Sequence, residues 1–215
     1  MPVFQKKIQK GFSMSIWHIT ESLDELLKMN QGSNTDISAL SSFSYEARKK
    51  EWLVARIVFE ELTEKKGVRI IYDEHRKPFL ENSKQCISIS HSHSVLAVII
   101  ADNETGIDIE LVKPAVEKVK KKYMSNSELN SLQKENQVEQ LTVYWCAKES
   151  LYKLYGKKEL TFKENLTIES FQYSGNGIIK GWIKNTSIKK AFNLEYEKLI
   201  IGSNSYMLTY VINQV

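Results

Sequence analysis

Asp108 and Glu110 stand two residues apart in Gly106-Ile107-Asp108-Ile109-Glu110, and Glu149 and Lys153 stand four apart in the stretch that opens Trp145-Cys146-Ala147-Lys148-Glu149-Ser150. In a strand, residues i and i+2 share a face with Cα atoms roughly 6.5–7 Å apart. The first pair can therefore converge on one hard cation while Ile107 and Ile109 face the core. Magnesium takes oxygen ligands at about 2.0–2.1 Å, commonly one or two carboxylates completed by water and substrate phosphates. Residues i and i+4 share a helix face. Glu149 and Lys153 thus set a third carboxylate beside an ammonium, a combination suited to charged phosphate chemistry. Each pair alone also has a plainer reading, as the solvent face of a half-buried strand or as an exposed helical ion pair worth about 0.2–0.5 kcal/mol.

Other residues invite the same double reading. Arg48, Trp52 and Arg56 recur every four residues, so on a helix they form one stripe while Leu53, Ile57 and Leu62 face elsewhere. Such a stripe grips a phosphate or simply lets long side chains snorkel. His91 ends an apolar strand and makes an H-x-H pair with His93, but with four histidines in the chain and no third soft ligand nearby a metal site is disfavoured. Ser125-x-x-Glu128 is a capping box. Lys118, Lys120, Lys121 and Lys122 form either a solvated helix face or a docking surface for an acidic partner.

In this order and with this flanking sequence, the segments resemble the 4'-phosphopantetheinyl transferases of the larger, pseudo-dimeric class that includes the surfactin-synthetase activators. The matching pieces are Lys77-Pro78-Phe79-Leu80, Ile87 through Ser92, Gly106 through Glu110, and Trp145 through Lys153, spanning roughly residues 48 to 155 with a weaker echo beyond. The resemblance implies a Mg2+-dependent holo-[acyl-carrier-protein] synthase. Such an enzyme moves the 4'-phosphopantetheine arm of coenzyme A to a serine of an apo acyl or peptidyl carrier protein, serving fatty acid, polyketide or nonribosomal peptide biosynthesis. It implies Asp108, Glu110 and Glu149 as metal ligands, and Glu149, Glu128 and Lys153 as catalytic groups, with the general base left open between the two glutamates. It places coenzyme A against Arg48, Lys49, Arg56, Arg76, Lys77, Pro78, Ser90 and His91, with Arg56 first for the 3'-phosphate. Arg76 stands where family members commonly carry glycine, a departure that bears on how closely the backbone approaches the adenine. The alternative is a catalytically silent relative that binds coenzyme A or carrier protein. A different nucleotide-processing enzyme is disfavoured, because the chain has neither G-x-x-x-x-G-K nor G-x-G-x-x-G.

The elements that must position these residues read as α+β. Alternation on both sides of Gly11 predicts a hairpin, and Ser22-Leu23-Asp24-Glu25 predicts a capped short helix. A helix is predicted from Tyr45 to Lys66, with Ser44 as N-cap and Gly67 as stop. Strands follow at Val68–Tyr72, Cys86–Ser90 and Val95–Ala101, with the Gly106 strand completing that block. The second half predicts a helix after Ser125, a long one from Val138 to Tyr155 stopped by Gly156, and short strands from Leu166 to Val211 broken near Gly175 and Gly202. The expected architecture is two similar α+β halves, 1–105 for coenzyme A and 106–215 for metal and catalysis. Each half packs helices on a small antiparallel sheet, and the resemblance sets the active site in a cleft between them.

Composition fits this picture. With 215 residues, 42% hydrophobic and 26% charged, the chain is an ordinary globular one. No apolar run reaches the ~20 residues that span a bilayer, so a cytoplasmic monomer with no membrane partner is expected. The net charge of +4 and pI near 8.8, with no nucleic-acid motif, argue against nucleic acid. Cys86 and Cys146 are too far apart in sequence for metal-ligand spacing and read as buried thiols.

Overall fold

The structure is a computed structural model that describes residues 3–31, 37–65, 69–187 and 189–213. The chain divides into two compact units, Met1–Asp102 and Asn103–Val215, and both are α+β with an antiparallel sheet.

In the first unit, β1 (Val3–Gln9) and β2 (Phe12–His18) form the expected hairpin, turning at Gly11, whose φ of +91° suits a residue without Cβ. With β3 (Ile70–Tyr72), β4 (Pro78–Leu80), β5 (Cys86–Ser92) and β6 (Val95–Ala101) they make a sheet in the order β1-β2-β6-β5-β4-β3. The central strand β6 is buried on both faces, which explains its uninterrupted apolar run. Helix α1 (Leu23–Met29) opens with the predicted capping box, the Glu25 N–H donating to Ser22 Oγ at 3.3 Å and the Ser22 N–H to Glu25 Oε2 at 2.8 Å. Helix α2 (Glu46–Thr63) buries Leu53, Val54, Val58 and Phe59 against Trp17, Ile87, Leu96 and Val98. Its N-cap is Tyr45 rather than Ser44, and Tyr45 gives no side-chain cap bond. The helix ends at Glu64 in the left-handed region (φ 55°), whereas the expected stop, Gly67, lies outside the described residues.

The second unit holds β7 (Thr105–Leu111), α3 (Ala115–Tyr123), α4 (Asn126–Asn130), α5 (Gln137–Tyr155), α6 (Phe162–Asn165), β8 (Leu166–Ile168), β9 (Asn176–Lys184), β10 (Lys189–Ile201) and β11 (Asn204–Ile212). The sheet order is β7-β11-β10-β9-β8. The Gly106 strand therefore does not complete the first block. It pairs with β11, almost a hundred residues away, with Asp108 opposite Thr209, a partnership that no local pattern reveals. Helix α5 lies on this sheet, packing Leu141, Ala147 and Leu151 against Leu166, Ile179, Leu194, Met207 and Val211. Gly156, at φ +74°, closes it in the left-handed conformation that helix ends favour. Among the described residues, no helix is long and apolar enough to cross a membrane.

Candidate active site

Two charged places stand out, one in each unit. In the first, a cavity of about 580 Å³ is lined by α2 residues Arg48, Trp52 and Arg56, turn residue Arg76, Pro78 at the start of β4, and His91 of β5. That volume is in the range of small-molecule sites. The four-residue stripe on α2 thus becomes one wall, and the alternation of β5 turns Ile89 and His91 toward the cavity while Ser90 faces the other way and is buried. Lys49, Lys77 and Ser90 do not line it.

Arg56 lies over the Trp52 ring, its guanidinium carbon 3.4 Å from the centroid, and donates to the Trp52 carbonyl at 3.0 Å. Burial lowers its pKa to about 10, a pull that Tyr72 partly offsets. A cation short of solvent beside an open cavity favours an anionic ligand there. Arg48 is tied differently. It donates to Glu51 Oε2 at 2.7 Å and to His91 Nε2 at 2.6 Å, while His91 Nδ1 lies 3.3 Å from Glu51 Oε1. Arginine has no acceptor, so Nε2 must accept, and the imidazole proton sits on Nδ1 facing Glu51. Glu51 has no role in the sequence reading, although Arg48-x-x-Glu51 has the spacing of a helical ion pair.

In the second unit, Asp108 and Glu110 sit on the β7 face that packs on α5, while Ile107 and Ile109 are fully buried. The strand reaches the helix through Gly106, where an added Cβ would lie 1.9 Å from the Ser150 carbonyl oxygen and 2.9 Å from the Leu154 nitrogen. Ser150 Oγ, one residue past Glu149, pairs with Thr209 Oγ1 at 2.6 Å and fixes α5 to β11 beside the same strand. Lys153 Nζ bonds Asp108 Oδ1 at 2.7 Å and the Ile107 carbonyl at 3.0 Å. Trp145 is half-buried and packs against the core of this unit. It stands edge-on to Tyr123 with centroids 5.1 Å apart, and its Nε1 donates to Glu110 Oε1 at 3.4 Å.

Glu149 has its pKa raised to about 7, first by burial and then by the charge of Asp108, with Glu110 adding and Lys153 opposing. The Glu149 carboxyl therefore feels the charges of Asp108 and Glu110, and an oxygen-only donor set of like charge fits a hard divalent cation. Among the described residues, no group of three or more His, Cys, Asp or Glu side chains is gathered closely enough to hold a metal ion.

Glu128 lies apart from this group. It is 2% exposed, its Oε2 accepts from the Lys148 ammonium at 2.8 Å and from the Ser125 N–H at 2.7 Å, and its Oε1 accepts from the Ile168 N–H at 2.9 Å. The predicted capping box is thus present, with a buried ion pair added to it. Of the lysine run, Lys118, Lys121 and Lys122 on α3 are exposed and Lys120 is half-buried. Cys146 is buried and Cys86 half-buried, both as free thiols.

A family model described as ACPS, 4'-phosphopantetheinyl transferase superfamily, matches residues 104–211. The chain belongs to this superfamily. No curated protein matches it at a significant level. The matched span contains Asp108, Glu110, Glu128, Glu149 and Lys153, so the carboxylate group sits inside the part of this phosphopantetheinyl transferase that the family defines. Coenzyme A is the family's substrate and carrier proteins are its acceptors.

Proposed function

We propose that this protein transfers the 4'-phosphopantetheine arm of coenzyme A to a serine hydroxyl of an apo acyl or peptidyl carrier protein, releasing adenosine 3',5'-bisphosphate, as a cytoplasmic monomer of the larger, pseudo-dimeric class. The observation that carries this reading is that the strand bearing Asp108 and Glu110 meets the helix bearing Glu149 at Gly106, with Lys153 bonded to Asp108, within the span the family model matches. Asp108, Glu110 and Glu149 would hold Mg2+, which neutralises charge on the pyrophosphate when bound.

In this reading the serine oxygen bonds to the phosphorus that bears pantetheine, the bridging P–O bond breaks, and Glu149, directly or through water, takes the serine proton. Lys153 offsets charge on the departing phosphate. Glu128 is left with a structural role, because both of its oxygens already accept protein hydrogen bonds. The first unit supplies the grip. Arg56 pairs with the 3'-phosphate, with Arg48 beside it; Arg76 and Pro78 lie along the adenine and His91 meets a phosphate, whereas Lys49, Lys77 and Ser90, which do not line the cavity, take no part in the grip. The exposed lysines of α3 face the acidic helix that carrier proteins present.

The test is incubation with coenzyme A, Mg2+ and a panel of apo carrier proteins, read by mass spectrometry. A gain of one phosphopantetheine on a carrier serine is expected, and Asp108→Ala should slow it by at least about 100-fold with an unchanged circular dichroism spectrum. Binding of coenzyme A without any transfer would instead make this a silent relative, and full activity of Asp108→Ala or in excess chelator would refute the metal site.

A further inference from the structure

Lys148 immediately precedes Glu149, yet its side chain is wholly buried. Its ammonium donates to Glu128 Oε2 at 2.8 Å, to the Tyr123 carbonyl at 2.7 Å and to the Phe162 carbonyl at 3.1 Å. An ammonium has three protons, so this one is fully used. Through Glu128 the connection continues to the Ser125 and Ile168 amides. Four segments, the end of α3, the start of α4, the start of α6 and strand β8, are thereby tied to α5 at a single residue. Stability alone does not call for this arrangement, since well-packed apolar side chains of similar volume commonly serve as well as a buried ion pair. What charge and hydrogen bonds add is direction. Successive helical residues project about 100° apart, so fixing Lys148 on one side of α5 sets where Glu149 points on the next.

We propose that Lys148 is a positioning residue whose three hydrogen bonds fix the rotation of α5 and so aim Glu149 at Asp108 and Glu110. This rests on the transferase reading above. Contact with substrate is not part of the role; a lateral error of about 1 Å at a reacting group is enough to cost on the order of 100-fold in rate.

The test compares the parent with the double variant Lys148→Met, Glu128→Gln, which removes both charges and leaves neither buried unpaired. The double variant should keep its melting temperature within a few degrees and its KM for coenzyme A. Its kcat should fall roughly 10- to 100-fold, and its affinity for Mn2+ alone, measured by electron paramagnetic resonance, should weaken by a similar factor. A folded double variant with parental kcat and parental Mn2+ affinity overturns the proposal and leaves the cluster a stability element only. Should the double variant fail to fold, the neutral pair Lys148→Gln, Glu128→Gln, which removes both charges but still offers hydrogen bonds, decides. A fall in kcat at constant KM supports positioning, and parental kcat refutes it. A parent that binds Mn2+ but modifies no carrier protein refutes the transferase reading instead, and the Mn2+ affinities then judge Lys148 by themselves.

Discussion

Arg48 and His91 in the first unit have side chains 53% and 41% exposed and are tied to each other and to Glu51, whereas Asp108 in the second is 4% exposed and is braced by Lys153 from α5. The basic pocket carries its own counter-ion. Glu51 pairs with Arg48 and faces the His91 ring. In the carboxylate group Asp108 is paired with Lys153, and the backbone beneath it is what sets the geometry. The group's like charges are held together by a strand and a helix that meet at Gly106, with Ser150 pinned to Thr209 and Lys148 pinned to Glu128. The difference predicts where each kind of damage registers. Changes in the pocket should alter affinity and leave the fold alone, while changes in the backbone seam under the carboxylates should remove both.

The sharpest way to break the comparison is Gly106→Ala. The obstacle to its Cβ is the Ser150 carbonyl at 1.9 Å, which is backbone and cannot swing aside. Either β7 leaves α5 or the helix bends, and both separate Asp108 from Glu149. A loss of about 3 kcal/mol or more in urea unfolding is expected, with transfer falling below detection. Parental stability and activity in this variant would show that the seam is looser than its geometry.

Arg56→Ala probes the other side of the comparison. Coenzyme A should bind roughly 10- to 100-fold more weakly, the loss of one charge-assisted contact, while 3'-dephospho-coenzyme A should change little and the unfolding midpoint should barely move. Isothermal titration with both ligands separates the outcomes. Equal losses for the two ligands would make Arg56 a scaffold residue that stacks on Trp52.

What could be read before the structure was known follows the same division. Periodicity placed the carboxylates, because the i, i+2 and i, i+4 rules act within one element, and it placed the Arg48, Trp52 and Arg56 stripe for the same reason. The capping boxes at Ser22 and Ser125 were legible from four residues each. Long-range relations were not. That β7 joins β11 depends on pairing across almost a hundred residues, and that Gly106 is needed depends on a helix carbonyl some forty residues later. The burial of Lys148 was not legible either, since nothing local says that Glu128, Tyr123 and Phe162 gather around it. Glu51 was within reach of the spacing rule but carried no motif.

Arg76→Gly gives the smallest effect and the finest distinction. The turn from Asp73 to Lys77 is closed by Asp73 Oδ1, which accepts the His75 and Lys77 amides at 2.9 and 2.8 Å, and it leaves Arg76 in the left-handed region at φ 67°. A side chain there costs about 1 kcal/mol that glycine avoids, but glycine also gains freedom in the unfolded chain worth about 0.5–1 kcal/mol. The net change in stability should therefore be an increase of under about 1 kcal/mol, measurable in urea against the parent. Coenzyme A affinity decides why the chain keeps an arginine where a glycine sits more easily. A more stable variant that binds several-fold more weakly assigns the side chain to the ligand and extends the contrast with Gly106, since in the exposed pocket fold and binding then move in opposite directions. Unchanged affinity would reduce Arg76 to a tolerated turn residue, and a loss of stability would show that its side chain makes contacts in the folded protein worth more than the strain.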